Sequence, residues 1–356
     1  MRHGLMTWRE EELSQADVLA RQRCMQAAMR AHGLDAMLIY TNHVRSAAVT
    51  FLTGFTPYWA DGILLLPAEG RPVLAIALSK RVGHWIKATN PTAEILHSPQ
   101  PGRAIAALLP SHEAPKVGVH ELERIPGALI EEIRSVKPVQ LADATATFAE
   151  VRAKGDAAEI GLARKADTIA AAAFATAPKK PSRVGDVTEA LELSVRNAGA
   201  EECYVAVAPD LAADTRLARV KGLLPLGPNF AVRLSVAYSG VWIRRTESFS
   251  RSGADDAIAE VAARADELAA CLDLQEGVAR QIESFAWPAG MTLSDWAVEA
   301  PFGTRPLQLV TSKIAPEDVP VAYGVLSLRL QGPSSPLLLA RPIGIVGRAE
   351  PRLSAA

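Results

Sequence analysis

The chain has 356 residues, enough for two domains of ordinary size, and its 49% apolar and 22% charged residues are usual for a soluble globular protein. A formal charge of -1 leaves no net field to attract nucleic acid or an anionic membrane, so neither is expected as a partner. Cys24, Cys203 and Cys271 are widely spaced with no CxxC pair, which excludes a cysteine zinc knuckle and fits reduced thiols in a cytoplasmic protein.

The stretch from Met1 to Glu12 is too charged and too poor in apolar residues for a secretion signal, and no apolar run long enough to span a membrane follows it. Between Ser14 and His32, Val18, Leu19, Met25 and Met29 recur at helical spacing, and Gly33 stands where a left-handed cap would close the helix. Short apolar runs over 36–40, 62–66, 73–77, 95–97 and 117–120 predict strands. Helical patterns over 79–88, 104–109 and 126–135 lie between them, so residues 1–148 are expected to form an α/β domain with a mixed sheet.

Residues 149–356 open on a charged helical stretch, 151–160, that runs into an Ala-rich helix ending near Ala177. Asp186 followed three residues later by Glu189 has the spacing of a capping box and predicts an amphipathic helix closing near Gly199. A strand over 203–208 and a β-hairpin over 229–249 follow. Helices over 255–274 and 276–285 then precede a strand-rich end over 325–346, which makes the chain a two-domain α+β protein.

Alternation within the hairpin decides which side chains share a face. With an even-length loop at Ser239 and Gly240, Val232, Leu234, Val236, Val241 and Ile243 form a core face, while Arg233, Ser235, Ala237, Trp242, Arg244 and Thr246 form the other. Two arginines close together across neighbouring strands cost roughly 0.2–1 kcal/mol unless a negative group lies between them. Either a bound anion resolves the repulsion, or each arginine pairs with a protein carboxylate or leans into water.

The order of these segments resembles the creatinase, aminopeptidase P and prolidase family of pita-bread fold. The resemblance rests on Arg21 in the first helix, Gly33 to Ile39, Phe51-Leu-Thr-Gly-Phe55, Gly62 to Pro67 before Arg71 to Leu74, the entry helix 151–159 and the helix from Gly185 to Gly199. Metal-dependent members hold two metal ions through two Asp, one His and two Glu. The resemblance sets Arg233 and Arg244 where the two Asp stand, Arg329 at the first Glu and Ala340 or Arg341 at the second. Thr246 is kept, and Glu247 replaces an arginine.

All seven histidines lie at or before His120, so the second domain supplies no imidazole as general base or metal ligand. Creatinase itself works without metal but relies on such a histidine. Other residues could carry chemistry. Cys203 could be a thiolate nucleophile or a small buried residue; Asp210 and Asp214 could be acids or loop caps; Tyr238 and Glu247 could supply a proton. His43, Arg45 or His84 could reach a partner subunit's cleft in the dimer the family implies. Trp242 could stack on a planar ligand or pack at the rim. No GxSxG, Walker loop, GxGxxG or HExxH occurs.

The expectation is a cytoplasmic homodimer with no cofactor and no metal. Its cationic cleft, built from Arg233, Trp242, Arg244, Thr246, Arg329 and Arg341, would bind a small carboxylate ligand. The rivals are a metal-independent hydrolase or lyase on small C–N substrates and a regulatory subunit of an active paralogue.

Overall fold

Ser14 starts the first helix as a capping box: its hydroxyl accepts from the Asp17 backbone N–H at 3.1 Å, and the Asp17 carboxylate accepts from the Ser14 N–H at 3.1 Å. The computed structural model describes residues 8–57, 60–111, 115–153, 155–220, 222–253, 255–274, 277–299, 309–311 and 322–345. They fall into two compact units that divide between Ala153 and Gly155. The expected features at Met1–Thr7, Glu276 and Val346 lie outside the described residues.

The first unit runs α1 (Gln15–Ala31), β1 (Ala36–Thr41), α2 (Ala47–Thr53), β2 (Gly62–Pro67), β3 (Val73–Ile76), α3 (Gly83–Thr89), β4 (Glu94–His97), α4 (Pro101–Ala106), β5 (Lys116–His120), α5 (Gly127–Val136), β6 (Gln140–Asp143) and α6 (Thr145–Ala153). Its mixed sheet has the order β4-β3-β2-β1-β5-β6. Alternation along β1 sends Met37 and Ile39 into a core with Met25, Phe51 and Phe148, and Ala36 and Leu38 into a second core with Ile105, Leu129 and Ile133. With helices on both faces the strands read as unbroken apolar runs, which is why the sequence exposes them. The short α2 and β6 carry too few residues for a periodic signal and are additions to the predicted set.

Residues 151–160 are not one helical stretch. Gly155 adopts a left-handed φ of 58°, and Asp156 caps a new helix, its carboxylate accepting from the Glu159 N–H at 2.7 Å. The second unit then runs α7 (Ala157–Ala175), α8 (Val184–Asn197), β7 (Glu202–Ala208), β8 (Asn229–Tyr238), β9 (Val241–Ser250), α9 (Asp256–Cys271), α10 (Val278–Glu283), β10 (Thr292–Glu299), β11 (Leu309–Thr311), β12 (Gly324–Gln331) and β13 (Pro336–Ile343). Helix α8 starts before Asp186, whose carboxylate reaches back to the Ser182 and Arg183 N–H groups, both at 2.9 Å. Strand β10 was not expected.

The sheet of this unit has the order β11-β10-β12-β13-β9-β8-β7, and its pairs are antiparallel. Ser239 and Gly240, with φ of 48° and 78°, form the two-residue loop of the hairpin, so Tyr238 pairs with Val241 as the parity argument requires. One face is covered by α7 against β8 and β9, α8 against β7, and α9 and α10 against β10, β12 and β13.

Within that covered face lies a charged cluster. Between β13 and β9 the described backbone ladder has the single register pair Ala340 and Thr246, and side chains complete the seam. The Ser248 hydroxyl accepts from the Leu338 N–H at 2.8 Å and donates to its carbonyl at 2.9 Å. Arg341, 1% exposed, donates to the Thr246 carbonyl at 2.9 Å, to Asp266 of α9 at 2.6 Å and to Glu247 of β9 at 3.0 Å. Arg245 joins Asp266 at 2.5 Å, Asp167 of α7 at 3.0 Å and Glu247 at 3.2 Å. Burial pushes the Asp167 carboxyl up in spite of Arg245 beside it. The Arg245 guanidinium, which burial alone would depress, is held above its ordinary value by Asp167, Glu247 and Asp266. Arg341→Ala removes one cation from the cluster and leaves Glu247 and Asp266 to Arg245 alone, and removing one member of a buried pair costs about 3–5 kcal/mol. Urea unfolding is expected to show a loss of that size, against a near-neutral result for Arg329→Ala on the exposed side of β12.

Candidate ligand-binding cleft

The face of the second sheet opposite the helices is built by the same alternation. Register places Ala297 of β10, Ser327 of β12, Ala340 of β13, Thr246 of β9, Arg233 of β8 and Ala206 of β7 in one row across six strands. Three alanines keep this floor low, and the other three residues bring polar atoms. Arg233 Nε, Thr246 Oγ1 and Ser327 Oγ are all buried without a hydrogen-bond partner among the described residues. Buried polar groups are nearly always satisfied, so three such atoms in one row single this row out as a candidate site.

Two cavities meet over this row. One of about 520 Å³ includes Arg216, Arg233, Thr246, Asp295, Ser327 and Arg329 in its lining. The other, of about 300 Å³, is lined by Tyr204, Ala206, Leu217, Arg219, Arg233, Ser235, Trp242 and Arg244. Arg233 and Leu217 belong to both. Both volumes suit a small molecule.

The two hairpin arginines have different surroundings. Arg244 donates from Nε to the Ser235 hydroxyl at 3.4 Å and forms an ion pair with Glu299 at the end of β10. Arg233 forms no ion pair with a described residue. Burial lowers its guanidinium pKa, repulsion from Arg244 lowers it further, and Glu299 raises it only in part. Thus one arginine meets a protein carboxylate, and the other meets none among the described residues.

Trp242 stacks on Tyr204 with ring centroids 5.3 Å apart and planes 8° from parallel, and the Arg219 guanidinium lies 3.7 Å from the Tyr204 ring centroid. This aromatic wall bounds the smaller cavity. Arg216 of the larger cavity pairs with Asp214 at 2.8 Å. The Asp214 carboxyl is held below its usual range by hydrogen bonds from the Arg216 side chain and backbone, and Asp210 accepts from the Ala212 N–H at 3.1 Å, so both acids act as loop caps.

Of the expected site residues, the cleft gathers Arg233, Trp242, Arg244, Thr246 and Arg329. Arg341 requires correction. Ala340 is the β13 residue opposite Thr246, so Arg341 points to the helices and is used in the charged seam. Glu247 lies on that same face beside Arg341 and Arg245. Tyr238 sits near Lys165 of α7, 6.0 Å from ring centroid to Nζ, and Cys203, opposite Val236, is buried. None of these three lines either cavity. His43 and His84 are exposed residues of the first unit.

Sequence reasoning missed Ser327, Asp295 and Glu299. The available signal was apolar alternation at Trp296 and Val298, which are buried while Asp295, Ala297 and Glu299 take the other face. A register shift between Leu293 and Asp295 interrupts that alternation and hides the strand.

A two-domain α+β protein with this second sheet has the pita-bread fold. Residues 21–154 match the Creatinase/Prolidase N-terminal domain. The whole chain is similar in fold to the prolidase from Pyrococcus horikoshii OT3, at 15% identity and a TM-score of 0.63 over 93% of this chain and 97% of that one. It is likewise similar to a His350Ala form of Escherichia coli aminopeptidase P, at 14% identity and a TM-score of 0.66 over 94% of each chain. The X-Pro aminopeptidase from Thermotoga maritima MSB8 aligns at 15% identity and a TM-score of 0.63 over 89% of this chain and 94% of that one. No curated protein matches by sequence. Residues 21–154 thus carry a Creatinase/Prolidase N-terminal domain, and the chain shares the pita-bread fold of prolidases and aminopeptidase P.

An unpaired, half-buried cation destabilises the protein that carries it, and exchanging a buried charge for an apolar side chain of similar size is often neutral or stabilising by about 1–4 kcal/mol. Arg233→Met is therefore expected to raise the melting temperature without ligand, by about 2–4 °C for each kcal/mol gained. A guanidinium keeps its proton across the working pH range, so burial and the repulsion from Arg244 weigh on Arg233 throughout it. The gain should therefore be equal at about pH 6 and about pH 9. A fall in melting temperature measured by calorimetry would show that Arg233 already has a partner.

Proposed function

We propose that this protein binds a small carboxylate-bearing molecule in a cationic cleft, on a family scaffold whose dinuclear metal centre has been replaced by arginines. Arg233 carries the reading: its buried Nε has no partner among the described residues, and it faces both cavities beside a second arginine. A carboxylate offers two oxygens in the planar geometry that a guanidinium fork matches, and its charge offsets both the burial and the repulsion from Arg244. The Thr246 hydroxyl, directly opposite Arg233 across the strands, supplies a further donor.

The resemblance aligns Arg233, Arg244, Arg329 and, through β13, Ala340 with the family's carboxylate ligands. A guanidinium has no lone pair to offer a metal and keeps its proton, and an alanine offers nothing. Among the described residues no group of three or more His, Cys, Asp or Glu stands together to hold an ion. The residues present do not fit two metal ions, and no step is routed through them. The cleft is accordingly a recognition site, since Cys203, Tyr238 and Glu247 line neither cavity. Ligand binding needs no cofactor, and a cytoplasmic homodimer is the state the family resemblance suggests.

Thermal shift followed by calorimetric titration with a panel of amino and keto acids is the direct test. At a free concentration of ~100 Kd a ligand stabilises by about 2.7 kcal/mol, a readily measured shift. At least one acid is expected to stabilise the wild-type chain, and Arg233→Asp, which restores a carboxylate at this position, is expected to abolish the effect. No shift with any acid, or an equal shift in the variant, ends the binding proposal. Stoichiometric manganese, cobalt or zinc in protein purified without chelator ends the replacement proposal.

A further inference from the structure

Resting on that carboxylate reading, we infer that the ligand is a dicarboxylate held at both ends, one carboxylate by Arg233 and Thr246 and the other by Ser327 and Arg329. The larger cavity contains all four residues. They form two arginine–hydroxyl pairs. Thr246 lies opposite Arg233 on the neighbouring strand, and Ser327 and Arg329 share the cleft face of β12 two residues apart. Register sets the pairs apart: Ser327 is opposite Ala340, and Ala340 is opposite Thr246, so β13 alone lies between the two hydroxyl-bearing strands. At about 4.8 Å per strand spacing, Thr246 and Ser327 stand roughly 10 Å apart along the floor.

A single carboxylate cannot satisfy both hydroxyls over that distance, yet both are buried without a partner among the described residues, and Thr246 is 1% exposed. Between them the floor is the methyl group of Ala340, which suits a short aliphatic chain and offers it no polar contact. At the second end the Arg329 guanidinium forms no ion pair with a described residue, although Asp295 lies opposite it on β10. Arg244 takes no part because Glu299 already engages it.

The test is isothermal titration of the full-length chain with straight-chain dicarboxylic acids of increasing length, each beside the monocarboxylic acid of the same carbon count. One length of diacid is expected to bind at least about tenfold more tightly than its mono-acid, a difference of ~1.4 kcal/mol. Arg329→Met and Ser327→Ala are expected to bring the diacid down to the affinity of the mono-acid measured on the same variant. Arg233→Met is expected to abolish binding of both, with its melting curve showing that it folds. If mono-acids bind and no diacid gains over its partner, or if Arg329→Met leaves the gain intact, the two-ended site is overturned and the single-carboxylate reading stands. If neither kind of acid binds the wild-type chain, both readings fall.

Discussion

The charged seam between β13 and β9 is the interaction on which the second unit's architecture depends. Where the described backbone ladder offers one register pair, Arg341 ties the Thr246 carbonyl to Asp266 and Glu247, and Arg245 extends the same cluster to Asp167. Helices α7 and α9 are thereby fastened to adjacent strands by charge as well as by packing. Such a cluster is held in place by mutual need, since each guanidinium in it would be costly to bury alone. It also fixes the phase of β9. With Ile243, Arg245 and Glu247 turned to the helices, Arg244 and Thr246 must turn to the cleft.

The two faces of this one sheet therefore treat arginine in opposite ways. On the helix side Arg245 and Arg341 are saturated by three carboxylates. On the cleft side Arg233 is depressed by burial and by Arg244, with a single carboxylate, Glu299, raising it only in part. A protein selected for stability alone would have replaced Arg233 or paired it. Alternation permits this arrangement, because residues on one face of six paired strands can differ in charge from those on the other without disturbing the core behind them.

Much of the fold was legible from residues alone. The first unit's strands are covered on both faces and so are nearly pure apolar runs, while Ser14 and Asp17 announce the first helix. In the hairpin, Ser239 and Gly240 set the parity, so the shared face of Arg233, Arg244, Trp242 and Thr246 followed from local chemistry. The misses were non-local. Residues 337–340 are three leucines and an alanine, with no alternation to read, so only the pairing of Ala340 with Thr246 shows that Arg341 faces inward. Strand β10 was obscured by its bulge, and with it went Asp295 and Glu299.

What the sequence by itself determined is the two-domain α+β class, the parity of the hairpin and the shared face of Arg233 and Arg244, because each depends on residue type and short-range spacing. What only the tertiary structure decided is which carboxylate each arginine meets among the described residues. That outcome rests on carboxylates carried by distant strands and helices, Glu299 for Arg244 and Asp266 for Arg341, and the chain's linear order holds no record of which of them will meet.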